Sequence, residues 1–246
     1  MKNIRTTTLV ALAALTAACT HKPVQPRFET LTVDTLLDRG TPCNIEWRFA
    51  SIANAAESPA LKAIEEANIN YFFELEAFTG SPREAADAAL GQIVGELLPD
   101  TPAAHGYDIS ADSEADVADT LLTYVITRST YTGGAHGMYG TECHTYSIPG
   151  GYELSLADFF DLGQLDALDR AIRETLRARY GVRTDDELTE HGFFVESIAV
   201  TENFRIAPDS ITFYYNPYEI GCYALGAVEV TVGRSGTDGP ESRTGK

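Results

Sequence analysis

Between Ile52 and Leu61 the spacing of apolar residues changes, and that change decides the fold class. Before it, FETLTVDTLL (28–37) and CNIEWRFASI (43–52) alternate as strands do, with DRGTP (38–42) as the turn between them. After it, Leu61, Ile64, Asn68, Tyr71/Phe72, Leu75 and Phe78 recur at three- and four-residue intervals, which places them on one helix face. A second helix marks its own start. Ser81 is the N-cap, Pro82 occupies the first helical position, and Glu84 three residues after the cap completes a capping box. Ala86, Leu90, Ile93, Val94 and Leu97 follow on one side, and Pro99 and Pro102 end the helix. The acidic stretch 100–116, with Asp108, Asp112, Glu114 and Asp116, reads as a loop.

The second half returns to alternation. LLTYVITRSTY (121–131) is dense in branched and aromatic residues and reads as a strand. A returning strand over 140–148 places Gly133-Gly134-Ala135-His136-Gly137 at the hairpin tip, and Gly150-Gly151 begins the next turn. QLDALDRAIRETLRARY (164–180) is a third amphipathic helix with Leu165, Leu168, Ile172 and Leu176 inward and Gly181 at its C-terminus. Strands are expected over 193–200, 203–206, 210–215 and 227–232. Blocks of strands and helices in this order predict an α+β fold with antiparallel sheets, two helices in the N-terminal half and one main helix in the C-terminal half.

The N-terminus carries an address. Lys2 and Arg5 precede TLVALAALTAA (8–18), an apolar run too short to span a bilayer, which needs roughly 20 residues. It ends LTAAC, so residues 1–18 read as a lipoprotein signal peptide, with Cys19 as the lipidated first residue of the mature chain. Residues 19–27, with two prolines, form a tether, and the polar, Gly-rich stretch 233–246 is expected to be disordered. The expected location is the cell envelope, lipid-anchored to the outer membrane and facing the periplasm or cell surface. Removal of residues 1–18 leaves 16 Lys and Arg against 36 Asp and Glu, a formal charge of −20. Such a surface argues against nucleic acid as a partner. It reads first as a solvated acidic surface and is compatible with a cationic partner steered by long-range attraction. Cys43, Cys143 and Cys222 meet an oxidising space, where one disulfide among them is expected.

Three candidate chemistries were weighed. His136, Glu142 and His144 supply the residue types of a zinc site, but their spacing matches no ligand motif, so no metal and no cofactor are expected. Glu142 and His144, two apart on a strand, share a face. No G-x-S-x-G elbow occurs, and adjacent Cys143 and His144 face opposite ways, so no catalytic set is assigned. Gly133, Gly134 and Gly137 read as a shaped turn held by a backbone hydrogen bond from His136. The cluster Phe213, Tyr214, Tyr215, Tyr218 and Tyr223 is divided by alternation between core packing and contact surface. The ligand-binding candidates are His136, Tyr139, Tyr215, Tyr218 and Glu219.

YTGGAHG (131–137), GYELSLADFF (151–160) and ITFYYNPYEIGCYALG (211–226), in this order, resemble the RsiV-like extracytoplasmic domain. The preceding half is similar to a companion domain that also occurs in PdaC-type peptidoglycan deacetylases. The resemblance implies a PdaC-type domain over 28–130 and an RsiV-like domain over 131–232. RsiV-type members are anti-sigma factors whose outer domain binds lysozyme, so a lysozyme-like protein or peptidoglycan is the implied partner. This chain departs from both relatives. It shows no transmembrane helix, no sigma-binding segment and no H-x-x-x-H, and TDD (184–186) is only a fragment of the deacetylase aspartate motif. A non-catalytic envelope binding module is the leading reading; a metal-dependent cell-wall hydrolase or deacetylase using His136 and Glu142 is the alternative.

Overall fold

The computed structural model describes residues 22–98, 103 and 105–234. Residues 1–18, expected to be a signal peptide, Cys19, the two prolines at 99 and 102, and residues 235–246 lie outside the described residues. A six-stranded sheet is built from β1 (Phe28–Asp38), β2 (Pro42–Ile52), β3 (Tyr107–Ala118), β4 (Leu121–Tyr131), β5 (Met138–Ser147) and β6 (Tyr152–Leu154), in that spatial order. Helices α1 (Pro59–Phe73) and α2 (Pro82–Gln92) cover one face. A second sheet of β7 (Phe204–Ile206), β8 (Ser210–Tyr215) and β9 (Val228–Gly233) packs against α3 (Leu162–Tyr180), with a short α4 at Asp185–Leu188. The fold is α+β, and among the described residues every strand pairing but one is antiparallel.

That one is β2 with β3, which run parallel in the register Trp47↔Ala111 and Ile45↔Ile109. The connection between them contains α1 and α2, the crossover that a parallel pair requires. The loop expected over 100–116 is therefore corrected: its larger part is β3, a central strand. Tyr107, Ile109, Ala111, Ser113 and Ala115 alternate toward the helices, and Asp108, Asp112, Glu114 and Asp116 face outward. The period of two was present but carried by small residues, while the carboxylates dominated the composition.

The first core joins Ile45, Trp47 and Phe49 of β2 and Leu122, Tyr124 and Ile126 of β4 to Leu61, Ile64, Phe72 and Phe73 of α1. α2 presents Ala85, Ala86 and Ala89, small enough to bring its axis close to the sheet. Its capping box forms as expected, with Ser81 Oγ accepting from Glu84 N and Glu84 Oε2 accepting from Ser81 N. α1 stops at Phe73, not Phe78, because Glu74 turns left-handed (φ 53°) and Asn70 bonds both backbone groups of Phe78. Buried Glu65 ties α1 to β2 by accepting from Ser51 Oγ at 2.7 Å and Ile52 N at 2.8 Å.

The second core sets Leu168, Ile172 and Leu176 of α3 against Ile211, Phe213, Val228 and Val230. Gly181 closes α3 in the left-handed region (φ 71°). The strand expected over 193–200 is absent: the segment holds a Phe193↔Gly221 bridge and a 3-10 turn at Val195–Ser197, and is otherwise irregular. Its carbonyls are taken by side chains instead. Arg173 donates to Val195 O and Ile198 O, and Tyr215 donates its hydroxyl proton to Ala199 O. Asp185 of the TDD fragment pairs with Arg173 and Arg177, so it serves that anchor.

Three boundaries move. Arg27 O and N bond Ala53 N and Asn54 Oδ1, so the tether is docked before it reaches β1. Gly233 belongs to β9, and Arg234 bonds Asp209 O. The division expected between residues 130 and 131 falls within the last two residues of β4, a strand that pairs with β5 in one sheet. The two cores divide instead between Ile148 and Leu156.

The cores meet at the free edge of β5. β6 pairs only with residues 145–147, leaving the backbone of Thr141 and Cys143 open. Two asparagines close that edge as surrogate strand. Asn203 accepts from Cys143 N at 2.9 Å and donates to Thr141 O at 2.7 Å; Asn216 accepts from Thr141 N at 2.7 Å. Asn203→Ala leaves the part-buried Cys143 N without its acceptor, while Thr141 O keeps a bond from Asn216 Nδ2 at 3.1 Å. We expect it to cost about 1–3 kcal/mol in urea denaturation. A loss below about 0.5 kcal/mol, the level of an ordinary surface change, contradicts this account of the edge.

Candidate functional site

The β4–β5 hairpin and the 216–226 segment bring four rings together. The tip turns through Gly133 (φ 85°) and Gly134 (φ 106°), a backbone that disfavours any side chain. His136 stacks on Tyr223 with ring centroids 3.8 Å apart. Tyr139 meets Tyr223 edge-on at 6.2 Å, and Tyr218 lies at 5.6 Å. Tyr223 is the hub, and its hydroxyl donates to Gly137 O at 2.7 Å, pinning the hairpin tip. His136 Nδ1 lies 3.0 Å from Gly137 O, the backbone contact expected of it. Around this hub Tyr139 is 42% and Tyr218 50% exposed, with Met138 exposed beside them.

Tyr218 occupies a costly position. Asn216-Pro217-Tyr218-Glu219 forms a turn closed by Glu219 N to Asn216 O at 3.1 Å, with Tyr218 at φ 75°. Proline second and a left-handed residue third is the pattern of a type II turn, where glycine or asparagine is usual. A bulky side chain there costs about 1–2 kcal/mol against the backbone it must adopt. Nothing in the turn needs a ring.

The other expected site residues separate. Tyr215 is 3% exposed and belongs to the second core, because the odd positions of β8 face α3. Glu219 caps its own turn, its carboxylate accepting from Asn216 N at 2.9 Å. Of the five ligand-binding candidates, then, His136, Tyr139 and Tyr218 share a surface. Tyr223, which holds them, was seen within the aromatic cluster but not singled out.

His136 is not near the other metal-type residues: Glu142 and His144 lie on the helix-covered face of the sheet. There His144 stacks on Tyr71 at 3.8 Å, and its Nδ1 is 2.7 Å from Glu153 Oε1. Its Nε2 is 3.9 Å from Glu142, an ion pair without a hydrogen bond. Tyr71 donates to Glu153 at 2.9 Å, and Arg128 bridges Glu142 to Phe72 O. Burial disfavours protonated His144, but the adjacent Glu142 and Glu153 outweigh it and raise its pKa. His144 in turn holds Glu142 below the usual carboxylate range, and Glu153 is lowered too despite its burial. No group of three or more His, Cys, Asp or Glu fit to hold a metal ion occurs among the described residues.

The sign for stability follows. A raised histidine pKa contributes stability in full below the unfolded value near ~6.5, and loses it as pH rises through the folded value. The lowered carboxylates contribute above ~4.3 and lose as pH falls. The urea midpoint should therefore decline from about pH 6 to about pH 8, and His144→Gln should flatten that slope. An equal slope in the variant would assign the effect elsewhere.

The expected disulfide is corrected: Cys43, Cys143 and Cys222 are all free. Burial pushes the Cys143 thiol up to about 12, so it stays protonated and unreactive at neutral pH.

An aromatic platform on the seam of two α+β cores defines the class of fold and site. Comparison with known proteins agrees on the fold. Residues 157–235 match the family model described as a protein of unknown function, DUF3298, which covers the second core. The crystal structure of a DUF3298 family member from Bacteroides fragilis is similar, with 26% identity and a TM-score of 0.76 over 87% of this chain and 92% of that one. A DUF3298 family protein from Pseudomonas aeruginosa shares the fold, at 17% identity and a TM-score of 0.64, over 89% of this chain and 95% of that one. No curated protein matches. No helix among the described residues is long and apolar enough to cross a membrane.

Proposed function

We infer that this protein is a non-catalytic binding module of the cell envelope, lipid-anchored through Cys19, whose ligand seats on His136, Tyr139, Tyr218 and Tyr223. The observation that carries this reading is Tyr218, a half-exposed ring kept in a left-handed turn position where glycine would fold more easily. Backbone strain that the fold does not require is concentrated at functional sites. Tyrosine is also the residue favoured at the centre of contact surfaces. The RsiV-like resemblance of the hairpin and of 211–226, and the PdaC-type resemblance of the preceding half, point to an outward-facing ligand: a lysozyme-like protein or peptidoglycan. The formal charge of −20 on the chain that begins at Cys19 favours encounter with a cationic protein.

The hydrolase or deacetylase alternative draws little from the geometry, since His136 is stacked on Tyr223 while Glu142 is engaged by Arg128 and His144. The binding reading is tested by calorimetric titration with lysozyme at low and physiological salt, alongside co-sedimentation with purified peptidoglycan. One of the two should bind at physiological salt. Attraction that vanishes with added salt for lysozyme, together with no sedimentation, overturns the proposal.

A further inference from the structure

A recess lies on the helix-covered side of the sheet, away from the aromatic platform. It is a groove of about 440 Å³, a volume within the range of small-molecule sites. Trp47, Phe73 and Ile109 form its apolar floor, and Ile93 and Leu97 overhang it. The overhang is a π-helical turn, Ile93–Leu97, closed by Leu98 N to Ile93 O at 3.0 Å. No residue of this turn is fully buried, although three of its five residues are apolar. Single π-turns of this kind recur at functional sites.

The polar groups around the groove select the charge of an occupant. Arg128 reaches into it, but its guanidinium is committed to Phe72 O at 2.8 Å, to Tyr71 O, to Glu142 at 3.5 Å and, more loosely at 4.0 Å, to Glu74. Glu74 and Glu96 stand at the rim, and Arg39, which bonds Val94 O, is not among the lining residues. Three carboxylates, Glu74, Glu96 and Glu142, therefore stand against this one cation and leave the rim negative. Such a field attracts cations and repels anions. We propose that this groove binds a small amphipathic amine, with its hydrocarbon on Trp47, Phe73 and Ile109 and its ammonium group at Glu74 and Glu96. The site is separate from the aromatic platform and does not depend on it.

Trp47 is the single tryptophan of the chain and lines this groove. It also borders a recess with Asp34, Arg48 and Asp112, which Gln92 and Thr130 do not line, so variants at those two positions tell the two recesses apart. The protein is titrated with decylamine, decanol and decanoate, each below its micellar concentration. Decylamine should give a saturable change, decanol a weaker one and decanoate none. Thr130→Phe and Gln92→Phe fill the mouth from half-exposed or exposed positions; either should weaken decylamine at least about tenfold. Glu96→Gln should narrow the preference for amine over alcohol, and Tyr218→Gly should leave decylamine binding unchanged. No saturable response to decylamine, decanoate binding as well as the amine, or wild-type affinity in both filled variants shown folded by circular dichroism overturns the proposal.

Discussion

Phe49→Ala should unfold the first core under conditions where the wild-type protein is intact. Phe49 is fully buried, and its ring meets Phe72 at 5.1 Å, Phe73 at 5.4 Å and Tyr124 at 6.1 Å. Removing it deletes the contact between β2, the C-terminal turn of α1 and β4 at once. A large-to-small change at such a site costs about 3–5 kcal/mol. That is a large share of the roughly 5–15 kcal/mol available to a folded domain. Near-ultraviolet circular dichroism during urea denaturation reads the effect. A loss below about 1.5 kcal/mol would mean the aromatic cluster is loosely packed, because only well-filled sites resist collapse.

Gly151→Ala should come close to that loss with the addition of one methyl group. Gly151 has φ 70°, and a Cβ there would stand 2.6 Å from Ala60 Cα and 2.9 Å from Ala60 O. Both neighbours are main chain, so no side chain can rotate away. The left-handed backbone costs about 1–2 kcal/mol for a residue with a Cβ. Overpacking against the first turn of α1 adds about 1–3 kcal/mol. The expected total, about 2–5 kcal/mol, should appear as a shift in urea midpoint without change in slope. Wild-type stability in this variant would contradict the close docking of the β5–β6 turn on α1.

The legible parts of this fold were those written in local signals. The alternation of β1 and β2, the Ser81 capping box, the branched run of β4 and the glycine after α3 all lie in contiguous sequence. What escaped was non-local or masked by composition. β3 hid a true alternation behind four carboxylates, and its parallel pairing with β2 spans two helices. Residues 193–200 have the apolar content of a strand, but their carbonyls belong to Arg173 and Tyr215, partners set by tertiary packing.

The candidate site shows the same division. Tyr139 and Tyr218 come from regions built on different sheets, and the structure joins them through Tyr223. Tyr215 was misplaced because strand parity in β8 is fixed by which face meets α3, and no residue within the segment records that. Glu142 and His144 share a face as their spacing implied, but Glu153, Tyr71 and Arg128 reach them from three other elements.

Tyr218→Gly separates fold from function in one variant, because it removes the ring and the left-handed strain together. Urea denaturation and binding, to lysozyme or peptidoglycan according to which the wild type retains at physiological salt, are measured on the same preparation. Stability should stay level or rise by up to about 1 kcal/mol, as the turn gains its preferred residue. Binding should fall by at least about tenfold, the effect of losing one central aromatic contact. Reduced stability with wild-type affinity would show that the Tyr218 ring serves packing, and the platform would lose its claim to the ligand.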